Sequence, residues 1–204
     1  SLFLYKILSM AYKSLEECLL DLERNGHLVR VKEEVDPHLE MASIHLRVFE
    51  AGGPALLFEN VKGSSFRTAS NIFGSLERSK FVFRHTLNAV QKVVELKGDP
   101  IQALKNPLKY ASAPFTGLSA LPMKSIGTPP ILNSTCEVSD LPQIKHWSMD
   151  GGPFVTLPVV YTEDVDKPGV MNSNLGMYRI QLGGNEYEQD REIGLHYQLH
   201  RGIG

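Results

Sequence analysis

The chain has 204 residues, of which 42% are hydrophobic and 22% are charged, as in an ordinary globular protein with a buried core. Its net charge of −2 gives no electrostatic reason to expect nucleic acid or an anionic membrane as a partner. Two cysteines, Cys18 and Cys136, cannot form a disulfide framework. Their scarcity fits the reducing cytoplasm, where we expect the protein to act.

The first residues of the chain are apolar but do not form a membrane anchor. Residues 1–9 are far fewer than the roughly 20 needed to span a bilayer, and the apolar stretch 1–5 lacks a basic leader and a small-residue cleavage site. Met10 is followed directly by a helix start. We therefore expect Met10 to be the natural start, residues 1–9 to be upstream sequence, and the chain to have no transmembrane segment.

The first half of the chain alternates between helical and strand patterns. A capping box at 14–17 begins a helix that Asn25-Gly26 ends, and Cys18 lies on its apolar face. Asp36-Pro37 predicts a second helix with proline at its first position, and Ser75 caps a third that runs to residue 98. Strands are predicted at 28–31, 55–61 and 66–73.

The second half is richer in strand patterns. Residues 100–130 contain many Pro, Ser and Gly residues, which predicts a linker with a short helix at 101–105. Strands are predicted at 154–161, 170–182 and 193–200, and the first two flank a polar loop. The fold class is therefore α/β (α+β), with a mixed α/β domain at 10–110 and a β-rich domain at 111–204 compatible with part of a barrel.

Candidate ligand-binding side chains lie near the end of the chain. If strands 174–182 and 193–200 are neighbours, Asn174 and His200 lie side by side, and an amide oxygen and an imidazole are both common ligands of divalent cations. Alternation places Arg179 on the opposite side of its strand from Asn174 unless a bulge intervenes. Gly176 serves either a close backbone approach to a ligand or a bulge. His196 is better explained as a hydrogen-bonded structural histidine than as a ligand.

These motifs also carry a family resemblance. Asn-Leu-Gly-Met-Tyr-Arg at 174–179 and Leu-His-Arg-Gly at 199–202 resemble the cofactor-binding signature of the UbiD family of reversible carboxy-lyases. Gly-Gly-Pro-Ala-Leu-Leu-Phe-Glu-Asn-Val-Lys-Gly at 52–63 and Asp-Gly-Gly-Pro-Phe at 150–154 resemble the N-terminal half of that family, in the same order. The resemblance covers most of the chain from about residue 10 to the end.

The resemblance implies a decarboxylase of aromatic or α,β-unsaturated acids, such as 4-hydroxybenzoate derivatives, in quinone biosynthesis or aromatic degradation. It implies prenylated FMN, a divalent cation such as Mn²⁺, and K⁺ as cofactors, held in a split-barrel domain, and a homo-oligomeric full-length protein. Asn174 and His200 would bind the metal, and Arg179 would be catalytic and contact the cofactor. The remaining implied cofactor contacts are Gly176, Met177, Tyr178 and Leu199.

The chain also departs from the family pattern. The third metal ligand and the glutamates that partner the arginine and deliver the proton would lie beyond residue 204, so we expect an N-terminal part that is inactive alone. One alternative is a plain FMN-binding or flavin-reductase-like split-barrel module. The other is a non-catalytic subunit that a second chain completes. A Rossmann nucleotide site is disfavoured because no G-x-G-x-x-G motif is present.

Overall fold

The structure is a computed structural model, and it describes residues 12–119 and 127–196. These residues divide into two compact units, one of residues 12–28 with 72–119 and one of residues 29–71 with 127–196. The helices are α1 (Leu15–Arg24), α2 (Glu40–Glu50), α3 (Leu76–Val82), α4 (Leu87–Gly98), α5 (Gln102–Lys105), α6 (Pro107–Tyr110) and α7 (Ala113–Ser119). The strands are β1 (Leu28–Val35), β2 (Ala55–Val61), β3 (Thr68–Ser70), β4 (Phe154–Val155), β5 (Val159–Glu163), β6 (Ser173–Met177), β7 (Ile180–Gln181) and β8 (Gly194–Leu195).

The first unit is helical, and its first helix begins as the sequence predicts. The backbone N–H of Glu17 donates to Oγ of Ser14, and the Glu17 carboxylate accepts from the N–H of Lys13, one residue before the cap. Cys18 is buried on α1, as expected for an inert thiol. Within the described residues, no helix is both long enough and apolar enough to cross a bilayer.

An ion-pair network fixes the end of α3 against α1 in this unit. The Asp21 carboxylate accepts hydrogen bonds from the Tyr12 hydroxyl at 2.6 Å and from Nη2 of Arg84 at 2.7 Å. Arg84 also donates to the Tyr12 oxygen at 2.9 Å, and its guanidinium lies 4.0 Å from the centre of the Phe81 ring. The three side chains therefore form a closed hydrogen-bonded group, in which each one contacts the other two.

The second unit contains the main apolar core. β1, β2 and β3 form a sheet in that order, and β2 is the buried strand expected at 55–61. Met41 on α2 packs with Phe58 on β2, and Ile144 from the second half of the chain packs against the same cluster. The backbone of Lys145 exchanges hydrogen bonds with residues 37 and 39, so the second half is fastened directly to the start of α2.

Two small sheets follow in the second half of the chain. β5 and β6 form an antiparallel pair in which Asn174 lies opposite Thr162. β4, β7 and β8 form a three-stranded antiparallel sheet with β7 in the centre. The fold is therefore mixed α/β, and the described strands form small sheets rather than a closed barrel.

Several predicted elements differ in length. Pro37 is not the first helical position: α2 begins at Glu40, because the 36–39 segment forms a turn in which the Asp36 side chain accepts from the His38 N–H. The helix predicted from 75 to 98 is interrupted between α3 and α4, although Ser75 does cap it. The linker predicted at 100–130 contains α6 and α7 in addition to the expected α5.

The long strands predicted in the second half are also interrupted. The strand at 154–161 is divided into β4 and β5, because Pro158 cannot donate a backbone hydrogen bond to a neighbouring strand. The strand at 170–182 becomes β6 and β7, which belong to different sheets. The strand at 66–73 is reduced to β3 because Asn71 adopts a positive φ of 58° directly after it.

Candidate functional site

The predicted metal ligand Asn174 lies on one face of β6 together with Gly176. Nδ2 of Asn174 donates a hydrogen bond of 3.0 Å to the hydroxyl of Tyr178, four residues further along the chain. A Cβ atom added to Gly176 would lie 2.6 Å from the Tyr178 ring, so only glycine lets this ring cross the strand. The close approach that Gly176 permits is therefore to Tyr178. Since Nδ2 is engaged, Oδ1 is the Asn174 atom left to accept a cation or a donor.

Arg179 follows at the junction between β6 and β7. Its guanidinium carbon lies 4.5 Å from the centre of the Phe154 ring, a cation–π contact, and Phe154 is only 4% exposed. Arg179 itself is exposed, and among the described residues it forms no ion pair with a carboxylate. The buried ring thus holds a guanidinium that no carboxylate of residues 12–119 or 127–196 neutralises, and a guanidinium is suited to bind an anion.

His196 lies beside Arg179 at the end of β8. Its backbone N–H donates to the carbonyl oxygen of Arg179 at 3.2 Å, and its ring packs edge-on against Phe154 with 5.3 Å between ring centroids. Nε2 of His196 is 3.0 Å from Oε1 of Gln181, which is 1% exposed. His196 is thus hydrogen-bonded, as expected, but it is also exposed and adjacent to the predicted catalytic arginine.

His146 is a further ionisable group near Arg179. Burial lowers the pKa of His146, the Asp150 carboxylate opposes this, and electrostatic interactions with His45 and Arg179 lower it further. The imidazole of His45 is hydrogen-bonded to the Ser70 hydroxyl at 2.7 Å. The low pKa of His146 favours its neutral form, so the positive charge at this place belongs to Arg179.

Two pairs of glycines allow a close approach between the backbone segment that precedes β4 and the one that follows β7. A Cβ atom on Gly152 would lie 1.9 Å from the carbonyl oxygen of Gly183, and one on Gly184 would lie 2.0 Å from that of Gly151. The Asp-Gly-Gly-Pro segment and the Gly183-Gly184 turn therefore approach as closely as bare backbone allows. This contact lies at the ends of β4 and β7, the strands that carry Phe154 and Gln181.

The structure locates some of the predicted site residues and not others. Among the described residues, the hairpin expected to bring 174–182 beside 193–200 is seen at 180–181 with 194–195, and β6 pairs with β5 instead. Met177 is 67% exposed on β6. Leu199 and His200 lie outside the described residues, so the pairing of Asn174 with His200 remains a prediction. Within the described ranges, no three His, Cys, Asp or Glu side chains are grouped as a metal site.

Sequence reasoning missed three residues of this site: Phe154, Gln181 and His146. In the sequence, Phe154 is visible only as the last residue of the Asp-Gly-Gly-Pro-Phe motif. Nothing in a single strand indicates which cation will lie on its ring. Gln181 has the clearer signal, because an amide at an inward-facing strand position must find hydrogen-bond partners.

Comparison with known proteins identifies the class to which this fold and site belong. Residues 19–97 match the family model of the 3-octaprenyl-4-hydroxybenzoate carboxy-lyase N-terminal domain, and residues 126–204 match that of the Rift-related domain of the same carboxy-lyase. Together the two matches cover well over half of the chain. The chain belongs to the UbiD family of carboxy-lyases, as the sequence motifs predicted.

Relatives and solved structures agree with this assignment. An uncharacterized protein of Chlamydia trachomatis is 39% identical over 191 residues, which are 91% of this chain and 31% of that protein. A protein of Chlamydia pneumoniae, named as a subunit of 4-hydroxybenzoate decarboxylase, is 38% identical over 183 residues, or 87% of this chain and 29% of that one. The chain thus spans about a third of the length of these relatives.

Two solved structures share the fold. The closed form of Sedimentibacter hydroxybenzoicus vanillic acid decarboxylase matches with a TM-score of 0.72 and 23% identity, over 95% of this chain and 39% of that chain. An evolved dimeric form of the UbiD-class enzyme HmfF from Pelotomaculum thermopropionicum, in complex with prFMN, matches with a TM-score of 0.66 and 22% identity, over 92% of this chain and 39% of that chain.

Proposed function

We propose that this chain supplies the N-terminal domain and the first part of the cofactor site of a prenylated-FMN-dependent decarboxylase. The reaction is the reversible, non-oxidative decarboxylation of an aromatic or α,β-unsaturated carboxylic acid. The observation that carries the proposal is the exposed guanidinium of Arg179, fixed on the buried Phe154 ring beside the hydrogen-bonded pair of Asn174 and Tyr178. A fixed cation is suited to bind the carboxylate of the acid substrate.

The residues present fit the divalent cation that such a site requires. Tyr178 engages Nδ2 of Asn174, which leaves Oδ1, a hard oxygen ligand of the kind that Mn²⁺ accepts. His200 is proposed as the second protein ligand, and the phosphate of the cofactor as a further one. K⁺ is proposed as a second, accompanying cation. The proposed metal residues of this chain are therefore Asn174 and His200.

The cofactor would lie along β6 and its continuation. Prenylated FMN, when bound, supplies the covalent reactivity for the loss of CO₂. The residues of this chain would bind and orient: Gly176, Met177 and Tyr178 would present backbone to the cofactor, and Arg179 would bind the carboxylate. Leu199 is proposed as a further cofactor contact. The proposed domain is a split barrel of which β4–β8 are a part, preceded by the mixed α/β domain of residues 10–110.

The proposed biological setting follows from the relatives. The family name and the Chlamydia pneumoniae relative both refer to 4-hydroxybenzoate chemistry, which supports a hydroxybenzoate derivative as substrate and a role in ubiquinone biosynthesis. We propose that the full-length protein is a cytoplasmic homo-oligomer. The dimeric form of the neighbouring HmfF enzyme supports an oligomer.

The chain by itself is proposed to be inactive in turnover. The third metal ligand and the proton-donating glutamate implied by the resemblance have no matched position in residues 1–204. A cation with two protein ligands is under-coordinated, and without the acid the carbon left after CO₂ loss has no proton donor.

Two other functions have specific support. A plain FMN-binding module is favoured by the HmfF structure in complex with FMN, whose fold this chain shares. A role as one of several different subunits is favoured by the name of the Chlamydia pneumoniae relative, which describes one part of a decarboxylase. Retention of unmodified FMN by the isolated chain would support the first of these, and restoration of activity by a separate second chain would support the other.

A chimera tests the proposal directly. Residues 1–204 replace the matching segment of the Chlamydia pneumoniae decarboxylase relative, and CO₂ release from 4-hydroxybenzoate is measured after reconstitution with prenylated FMN and Mn²⁺. We expect turnover by the chimera and at least a hundredfold loss in its Arg179→Ala variant. Arg191→Ala, at an exposed ion pair, is the control. A folded chimera without turnover, or an Arg179→Ala variant as active as the control, contradicts the proposal.

A further inference from the structure

One face of the β4–β7–β8 sheet carries a set of side chains that the proposed function leaves partly unused. Phe154 lies opposite Gln181, and Gln181 lies opposite Gly194. Since side chains two residues apart share a face of a strand, Arg179 and His196 lie on this same face. Gly194 has no side chain there, and the Tyr187 ring occupies the space that a Cβ atom would take. Gln181 is therefore buried on this face, whereas Arg179 and His196 at its end are exposed.

The buried amide of Gln181 selects one tautomer of the His196 ring. Nε2 of Gln181 donates to the carbonyl oxygen of Gly183 at 3.0 Å, and the reverse orientation would bring two acceptors together. Oε1 of Gln181 therefore faces His196, and because Oε1 can only accept, Nε2 of His196 must carry the proton. In the neutral ring, Nδ1 is then the unprotonated nitrogen and a hydrogen-bond acceptor.

We propose that His196 is a specificity-determining residue that accepts a hydrogen bond from a hydroxyl group of the acid substrate through Nδ1. Gln181 is its positioning residue. This inference rests on the proposed function, in which Arg179 binds the carboxylate of the same acid. It adds that the preferred acid carries a hydrogen-bond donor, as a hydroxybenzoate does, and that an isosteric acid without the hydroxyl binds less well.

The geometry around Phe154 supports this division of roles. Arg179 and His196 contact the same ring, the guanidinium 4.5 Å from its centre and the imidazole in a T-shaped pair with 5.3 Å between centroids, and both residues are exposed. The two groups differ in kind: a guanidinium can only donate hydrogen bonds, and the Nδ1 atom of this imidazole can only accept one. A ligand with one acceptor end and one donor end is complementary to the pair.

The tautomer is tested first, on the 204-residue chain without flavin. In ¹⁵N NMR spectra of histidine-labelled protein at a pH where the ring is neutral, His196 is expected as the Nε2–H tautomer. Gln181→Met removes the acceptor at similar volume and is expected to shift His196 toward a mixture of tautomers. If that variant does not fold, the wild-type spectrum alone decides. An Nδ1–H tautomer in the wild type overturns the proposal.

Binding of two matched acids then tests the role. We expect 4-hydroxybenzoate to bind the chain roughly tenfold more tightly than 4-methylbenzoate, the value of one good hydrogen bond. His196→Phe should abolish this preference, whereas Arg179→Gln should weaken both acids and keep their ratio. A preference that survives in His196→Phe, or its absence in the wild type, overturns the proposal. The proposed decarboxylation is tested independently of this preference. It is contradicted, and the role of His196 is not, if the chimera binds the two acids with this preference but releases no CO₂.

Discussion

The side-chain amide of Asn174 donates a 3.0 Å hydrogen bond to the hydroxyl of Tyr178, and the Tyr178 ring passes over Gly176 to reach it. The motif Asn-x-Gly-x-Tyr thus acts as one local unit. Glycine makes room for the ring and tyrosine orients the amide, whose oxygen is the proposed metal ligand. Groups that orient a metal ligand are often nearly as important for affinity as the ligand itself.

The first prediction concerns this hydrogen bond. Tyr178→Phe removes the oxygen that fixes the Asn174 amide, and we expect the affinity for Mn²⁺ in the presence of prenylated FMN to fall roughly tenfold. The free energy of unfolding should fall by only about 1 kcal/mol, because the hydrogen bond to Asn174 is partly exposed. Metal titration and urea denaturation measure the two effects. Unchanged Mn²⁺ affinity in a folded variant contradicts the role given to Tyr178.

The second prediction concerns the paired glycines. Gly152→Ala places a methyl group 1.9 Å from the Gly183 carbonyl oxygen, so the backbone must move. We expect a loss of about 3 kcal/mol or more in the free energy of unfolding. Gly183→Ala is the matched control, because its methyl group would meet nothing within 4 Å. Urea denaturation compares the two variants, and equal midpoints would show that the close approach of the two turns is not required.

The third prediction concerns the charge beside His146. Burial and, after it, electrostatic interactions that include the one with Arg179 lower the pKa of His146, so Arg179→Gln should raise it. Asp150→Asn removes a carboxylate that raises the pKa and should lower it further. Histidine NMR titrations measure both, with Arg191→Gln as the control. If the pKa of His146 is the same in Arg179→Gln as in the wild type, the guanidinium does not lie near this imidazole.

The lowered pKa of His146 also has a consequence for stability. The unfolded chain binds the proton at a higher pH than the folded chain, so protonation favours unfolding. The free energy of unfolding should therefore decrease as the pH falls below the ordinary histidine value of about 6.5, and this contribution should level off below the folded pKa. Urea denaturation of the wild type and of His146→Gln measures the difference. The variant should lack that part of the decrease.

The fourth prediction concerns the ion-pair network of the helical unit. The hydrogen bond from Tyr12 and the contacts from Arg84 hold the pKa of Asp21 below its usual value, against the opposing effect of burial. The resulting stabilisation is present above the unfolded value of about 3.9 and is lost as the pH falls through the folded pKa. Asp21→Asn should cost about 1–3 kcal/mol at pH 7 and less in acid.

Urea denaturation of the Asp21→Asn variant at several pH values checks this, with Glu77→Gln at an exposed helical position as the control. A cost that is constant down to the acid limit would show that the charge of Asp21 contributes nothing.

Local signals in the sequence predicted much of the fold. Ser14 and Ser75 cap their helices, and the strand at 55–61 is found at those residues, because caps and short buried runs are decided within a few residues. The predicted start of α2 was wrong by a few residues, since the Asp36 side chain stabilises a turn that the Pro37 signal does not reveal.

Pairing between distant segments was less predictable. The alternation along 170–182 indicated one strand, and nothing local indicated that it changes sheets at Tyr178 and Arg179. Which strand lies beside which depends on tertiary contacts, and that is also why Phe154 was missed as the platform under Arg179. The motif residues themselves were predicted because their chemistry is visible in the sequence, whereas the residues that position them are visible only in the fold.

Dependence of flavin binding on the metal tests the proposed site most directly. Prenylated FMN is titrated into the 204-residue chain with and without Mn²⁺, and into its Asn174→Ala and His200→Ala variants, and binding is followed by absorbance. We predict that Mn²⁺ tightens binding to the wild type and that either substitution abolishes this gain. The proposed site is contradicted if Mn²⁺ has no effect on flavin binding to the wild type. It is also contradicted if both variants bind the flavin with Mn²⁺ as tightly as the wild type does.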